Sequence, residues 1–328
     1  MKFLLYILFI FSFAITQGQG FENPIPDKLK LTDNVPAELL AKRSVVFHSA
    51  NLSDEELETT QSSFQKTGID AVAYFKTEFV FAGLDVTQKI IDYLGKREIS
   101  FIILISKKTN RFSFITTPFN GNSDFVNQDQ IGWEVDNANL SDALQIIYRY
   151  TVNSQPIKNL LINSYPEKNF PITIIEGRRS DFFAIDLKVD HLAVPWFKDA
   201  VNDSLLVKFF KETYPFTYNM VEPGLDKKEL RSKGFHYLLS YVHTDGAIAR
   251  DILGYQNTSN ESAITSVTYP NGSLKLKTLS AETPVYKFYL KHLESGNVFL
   301  GTKWDADITW ESALRNHIKG FRAELKIP

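Results

Sequence analysis

Groups able to do chemistry are densest near the C-terminal end, in Trp304-Asp305-Ala306-Asp307 followed by Glu311. Three carboxylates beside the rings of Trp304 and Trp310 could coordinate a divalent cation, or pair an acid and a base next to a stacked sugar. The same residues also suit a helix start, with Asp307 or Thr309 as cap, Glu311 complementing the helix dipole and both rings packed. Trp133-Glu134-Val135-Asp136 repeats Trp, acid and Asp earlier in the chain, which favours capping, because caps recur with topology. No metal is expected; Asp305, Asp307 and Glu311 are the residues that would hold one, and Trp133 and Trp304 are the candidate interaction residues.

A second constellation, His243-Thr244-Asp245-Gly246, follows a predicted strand. Strand ends are where α/β sites collect, and a His with a nearby carboxylate can act as a general base. Asp-Gly is an ordinary turn pair, however, and no companion nucleophile is identifiable, so a turn is expected. The chain carries no Gly-x-x-x-x-Gly-Lys-Ser/Thr, no Gly-x-Gly-x-x-Gly after a strand, no His-Glu-x-x-His and no Gly-x-Ser-x-Gly. Its six histidines are scattered without metal-ligand spacing, and His48, His292 and His317 fall on predicted strands or on an apolar helix stripe. The absence of cysteine removes disulfides, thiolate metal sites and thiol nucleophiles together. No catalytic residue and no cofactor is assigned. Arg178-Arg179 and Lys227-Lys228 read as solvated surface pairs.

Local signals fix the elements around these residues. Ser44 to Ser49 is a short apolar strand, and Leu52-Ser53-Asp54-Glu55-Glu56-Leu57 starts a helix. Ser53 and Glu56 are spaced as a capping box, Leu52 and Leu57 as a hydrophobic staple, and Gly68 stops the helix. Strand Ala71 to Lys76, helix Asp85 to Arg97 and strand Phe101 to Ser106 follow, the last apolar on both faces and therefore central. Arg111 to Thr117 is its hairpin partner, Trp133 falls in a polar loop, and helix Leu140 to Tyr150 closes the module. After a Pro-containing linker the order recurs. Strands are expected at Phe182 to Val189, Thr217 to Met220, Tyr237 to Val242, Val285 to His292 and Val298 to Trp304. Helices are expected at Asp203 to Thr213 and Asp226 to Lys233, with a hairpin about Asn271-Gly272. Trp310, Ala313, Leu314, His317, Ile318, Phe321 and Leu325 form the stripe of a last helix packed on a sheet.

Two copies of one unit explain this recurrence. Gly83-Leu84-Asp85 and Gly224-Leu225-Asp226 each open a helix that leads to a central strand. The two Trp-acid-x-Asp segments precede the closing helices, which then share Ala143-Leu144 and Ala313-Leu314. The expected fold is α/β: two tandem similar modules, each a mixed sheet with helices packed on it.

The chain has 328 residues, with 36 basic against 38 acidic side chains, and this near balance gives no electrostatic reason to expect nucleic acid. Lys2, the apolar run Phe3 to Ile15 and the small-residue exit Thr16 to Gly20 read as a cleaved signal peptide. The run is too short to span, and nothing later is long enough. The expected division is 1–20 signal peptide, 21–43 extended lead-in, 44–152 first module, 153–171 linker and 172–328 second module with an insertion at 246–280. An exported protein of this size can fold without disulfides on two ordinary cores.

Each unit's order, strand–helix–strand–helix–strand–strand–helix, is similar to the anticodon-binding-like α/β module of bacterial envelope proteins. It resembles the amino-terminal domain of TolB, the curli-secretion lipoprotein and the lipoprotein activators of penicillin-binding proteins. Phe288-Tyr-Leu-Lys-His-Leu-Glu-Ser-Gly-Asn-Val-Phe-Leu-Gly301 looks like that family's strand–turn–strand before the last helix. The style of the sequence, rich in Ile, Phe, Asn and Lys and free of cysteine, resembles exported proteins of the Bacteroidota. The resemblance implies a non-catalytic assembly role, in the periplasm or at the cell surface, with other envelope proteins of an outer-membrane complex as partners. Unlike several relatives, this chain cannot be lipidated on cysteine. A secreted metal-assisted or glycan-directed hydrolase using Trp304 to Glu311 is the alternative expectation.

Overall fold

A computed structural model describes residues 23–108, 111–155, 157–159, 161–168, 172–256 and 262–327. The segment read as a signal peptide lies outside the described residues. The first half comprises β1 (Leu29–Thr32), β2 (Arg43–His48), α1 (Asp54–Thr67), β3 (Asp70–Lys76), α2 (Thr77–Val80) and α3 (Leu84–Lys96). It continues through β4 (Ile99–Lys108), β5 (Arg111–Pro118), β6 (Gln130–Asn137), α4 (Leu140–Ser154) and the short β7 (Glu167–Lys168). The second half runs β8 (Arg179–Ser180), β9 (Leu192–Pro195), α5 (Ala200–Thr213), β10 (Tyr218–Val221), α6 (Lys227–Ser232) and β11 (Tyr237–Asp245). Then come α7 (Gly246–Ile252), the hairpin β12 (Ala263–Thr268) and β13 (Lys275–Ser280), β14 (Pro284–His292), β15 (Val298–Phe299) and α8 (Trp310–Glu324).

Two tandem α/β modules result, and their sheets are wired alike. The first sheet reads β3-β2-β4-β5-β6-β1, and the second reads β10-β9-β11-β14-β15-β8. The successive pairings are parallel, parallel, antiparallel, antiparallel and parallel in both. Helices α1 and α5, α3 and α6, and α4 and α8 occupy equivalent connections, so the Gly-Leu-Asp segments open equivalent helices. The first sheet adds β7 outside β3, and the second replaces the β4–β5 hairpin turn with α7 and the β12–β13 hairpin.

Local chemistry accounts for the elements that position the rest. Ser53 Oγ accepts from the Glu56 N–H while the Ser53 N–H donates to Glu56 Oε2, and Gly68 ends α1 in the left-handed region. In β4, Phe101, Ile103 and Ile105 face α1 and α4, whereas Ile102 and Leu104 face the opposite core, so both faces are buried as its composition required. The far face of the second sheet packs on α5 and α8, with Leu206, Phe210, Leu314 and Phe321 among the buried contacts. The two modules share their middle layer: Val86, Ile90 and Leu94 of α3 lie in one apolar cluster with Val45 and Phe47 and with Val242, Val285 and Tyr289. The molecule is therefore layered as helices, sheet, shared seam, sheet, helices. No helix among the described residues is long and apolar enough to cross a membrane.

Several expectations need correction. The apolar stretch 182–189 is not a strand; it contains a 3-10 turn, Ile185–Lys188, and the strand is β9 beyond it. Phe183 and Leu187 point inward while Phe182, Ile185 and Val189 point out, so its hydrophobicity is not that of a sheet interior. Trp133 lies in β6 rather than in a loop. The strand expected over Val298 to Trp304 pairs only through Phe299. The lead-in is not merely extended, since it supplies β1, and the linker supplies β7.

Candidate functional site

At the seam between the modules a cavity of roughly 410 Å3 opens between α3 and the C-terminal ends of β9 and β10. The edge reached by the carboxyl ends of parallel strands, and the interface between two modules, are both places where ligand sites form. Its walls include Leu84, Trp196, Phe197, Leu225, Leu230 and Leu238. Both copies of the repeated motif reach it, through Leu84-Asp85 and Gly224-Leu225-Asp226.

Backbone contacts hold the two sides together. Gly83 has φ 152°, and a Cβ there would stand 2.6 Å from the Tyr241 carbonyl oxygen, so the chain entering α3 lies directly on β11. The His243 N–H donates to the Ala82 carbonyl at 2.7 Å, and Thr244 Oγ1 donates to the Glu78 carbonyl at 2.7 Å. Charged groups then cross the seam. Asp85 accepts from the Tyr289 hydroxyl at 2.7 Å and meets Lys291 Nζ at 3.3 Å. Glu176 pairs with Lys89 at 2.7 Å and also with Lys227. Burial holds the Lys227 ammonium below its ordinary value, and the charges of Lys291 and Lys89 push it the same way. Lys227 is thus a cleft residue, not the free surface lysine its sequence suggested. Arg179 likewise forms a brace, donating to the Leu253 carbonyl at 2.8 Å and lying 4.6 Å over the Tyr255 ring.

The carboxylates singled out near the C-terminus take separate partners. Asp305 is buried with Lys287 Nζ 2.7 Å from Oδ1 and His317 Nδ1 3.1 Å from Oδ2. Asp307 pairs with Lys277 and accepts from the Ile308 N–H at 2.8 Å. Glu311 stands in the first turn of α8, and Thr309 caps that helix by accepting from the Ser312 N–H. Among the described residues no group of three or more His, Asp or Glu side chains is placed to hold a metal ion. Trp133 is only 3% exposed, inside the core under α4, and Trp304 is half-buried with its ring edge-on to Tyr255 at 5.0 Å.

Lys287 and His317 complete a charged cluster at the heart of the second module, joining β14, the 305 turn and α8. Lys287 Nζ also donates to the carbonyls of Leu300 at 2.8 Å and Phe288 at 3.0 Å. Burial opposes the Asp305 charge most strongly, but Lys287 and His317 together hold its carboxyl below the ordinary value. Burial also depresses Lys287 and His317, while the Asp305 carboxylate pulls both in the opposite sense. One sequence signal pointed here: a lysine at an inward position of an apolar strand.

His243 is occupied by its neighbour, stacking on Tyr286 at 3.8 Å with the rings 6° apart, and burial pulls it down to about 4. Burial raises Asp245 to about 6, with Glu78 and Glu282 adding to the shift. Asp245-Gly246 is the start of α7 rather than an isolated turn. On the outer edge of the second module, Phe182, Ile185 and Val189 are 67%, 71% and 82% exposed, forming an apolar ridge over the buried Phe183 and Leu187. Comparison with protein-family models and with curated proteins returns no match for this chain.

Proposed function

We propose that this chain is a non-catalytic exported protein of the cell envelope that acts as an interaction subunit of an outer-membrane assembly. The observation that carries the reading is the ridge of Phe182, Ile185 and Val189, three large apolar side chains turned to solvent along one module edge. Large apolar side chains turned to solvent close together in the chain are suited to protein contacts. Support also comes from the seam: two modules joined through one core make a stiff platform that presents the ridge in a fixed orientation. The near-balanced charge makes a protein a better partner than an anionic lipid surface.

Photocrosslinking in intact envelopes from a reactive group at Ile185, followed by identification of the captured protein, tests this. An envelope protein captured from Ile185 and not from exposed Lys233 is expected. Recovery of the chain alone and monomeric, together with hydrolytic activity, would overturn the reading.

A further inference from the structure

The buried cluster of the second module holds an amine against a carboxyl group. Lys287 Nζ stands 2.7 Å from Asp305 Oδ1, and both side chains are shut away from solvent. The contact is not a hydrogen bond: Oδ1 has no donor among the described residues, whereas Nζ donates to the carbonyls of Leu300 at 2.8 Å and Phe288 at 3.0 Å. A neutral amine has two N–H groups and one lone pair, so with both N–H groups spent on carbonyls the lone pair is left for the carboxyl. His317 Nδ1 lies 3.1 Å from the other carboxyl oxygen, Oδ2, and its Nε2 has no partner among the described residues. Burial opposes charge on all three groups more strongly than any single neighbour acts on them. One proton moved from Nζ to the carboxyl leaves a neutral amine beside a neutral acid, the form a dry interior favours. A buried ion pair is also poor value for stability alone, since an apolar pair of similar volume does as well. Finally, Asp305 lines a cavity of roughly 220 Å3 beside Asn316 and Gly320, room into which a water can leave.

We propose that Lys287 and Asp305 condense to an intramolecular amide that ties β14 to the turn before α8. Nζ attacks the Asp305 carboxyl carbon; the Nζ–Cγ bond forms and the Cγ–Oδ2 bond breaks. Oδ2 leaves as water with the carboxyl proton and one amine proton, handed on by His317 Nδ1, and nothing is oxidised or reduced. The tie closes the chain around β15, in a sequence that has no cysteine with which to form a disulfide. The ion pair is the state from which the amide forms. The pair's own contribution to stability is therefore read on chain not yet condensed, which mass distinguishes. This inference does not rest on the interaction reading, since the ridge is a separate surface.

Trypsin digestion of the purified full chain after days in the folded state at pH 7, followed by mass spectrometry, tests it. No cleavage after Lys287 is expected, and residues 278–291 should be joined to residues 304–315 in one branched peptide. That peptide should be lighter by one water than its two parts together, with fragment ions placing the link at Asp305 rather than at Asp307 or Glu311. Asp305→Asn should give a linked peptide of the same mass, because ammonia leaves in place of water, whereas Asp305→Leu should give none. His317→Phe, with an unchanged circular dichroism spectrum, should link at least about a hundredfold more slowly. Wild-type chain cleaved after Lys287 with residues 304–315 recovered unlinked, or a link that persists in Asp305→Leu, would overturn the proposal.

Discussion

Replacing Lys287 by Met should unfold the second module far more readily than a surface change would. Lys287 is fully buried, and its ammonium stands 2.7 Å from the buried carboxylate of Asp305. Methionine keeps the length and the apolar contacts of the stem but takes away the ammonium that stands against Asp305. It also strips a donor from the Leu300 and Phe288 carbonyls. Removing one member of a buried ion pair costs about 3–5 kcal/mol, a large share of the 5–15 kcal/mol that typically holds a domain together. In urea, monitored by far-ultraviolet circular dichroism, an m-value of about 3 kcal/mol/M turns this into a midpoint shift of roughly 1–1.7 M. The double variant Lys287→Met/Asp305→Leu removes both charges and should recover most of the loss, because an apolar pair of similar volume tolerates the same burial. A single variant that loses less than about 1 kcal/mol, or a double variant as unstable as the single one, would refute the account of the cluster.

Two further outcomes follow from the seam. His243 titrates near 4 in the folded chain and near its ordinary 6.5 when unfolded, so its contribution is fully present above pH 6.5 and is lost as pH falls toward 4. Asp245, raised to about 6, works in the opposite sense, stabilising below pH 3.8 and losing that contribution as pH rises through 6. Urea titrations at pH 7 and pH 4.5 should therefore show His243→Phe gaining on the wild type by on the order of 2 kcal/mol at the lower pH; an unchanged difference would contradict the burial of that ring. Gly83→Ala places a Cβ against the Tyr241 carbonyl and should destabilise by about 1–3 kcal/mol while raising hydrogen exchange along β11; unaltered exchange there would show that the contact is slack.

What the sequence disclosed was local or repeated. The Ser53–Glu56 box, the doubly apolar β4 and the α8 stripe each declare themselves within one element, and each is found in place. The duplicated Gly-Leu-Asp segments gave the tandem architecture, since they open the equivalent helices α3 and α6, whereas the two Trp-acid-x-Asp segments are not equivalent, one lying within β6 and the other beyond the end of β15. Hidden features depended on chain segments far apart. The strands β1, β7 and β8 are only 4, 2 and 2 residues long and are defined by their neighbours, not by their own pattern. The segment 182–189 misled because Phe183, Ile185, Leu187 and Val189 recur at every second residue, the period of a strand, although only Phe183 and Leu187 reach the core. Asp305 looked like a candidate ligand because Lys287 and His317, its actual partners, are remote in sequence. The cleft escaped altogether because each module supplies only one of its walls.

The ridge is the feature on which the functional reading stands, and replacing Phe182 and Ile185 with Asp tests it most directly. Both side chains are exposed, so the double variant should keep the wild-type circular dichroism spectrum and urea midpoint. In intact envelopes, crosslinking from Val189 should then lose the captured partner seen with the unaltered ridge. Undiminished capture from a correctly folded variant would contradict the claim that this edge is the contact surface.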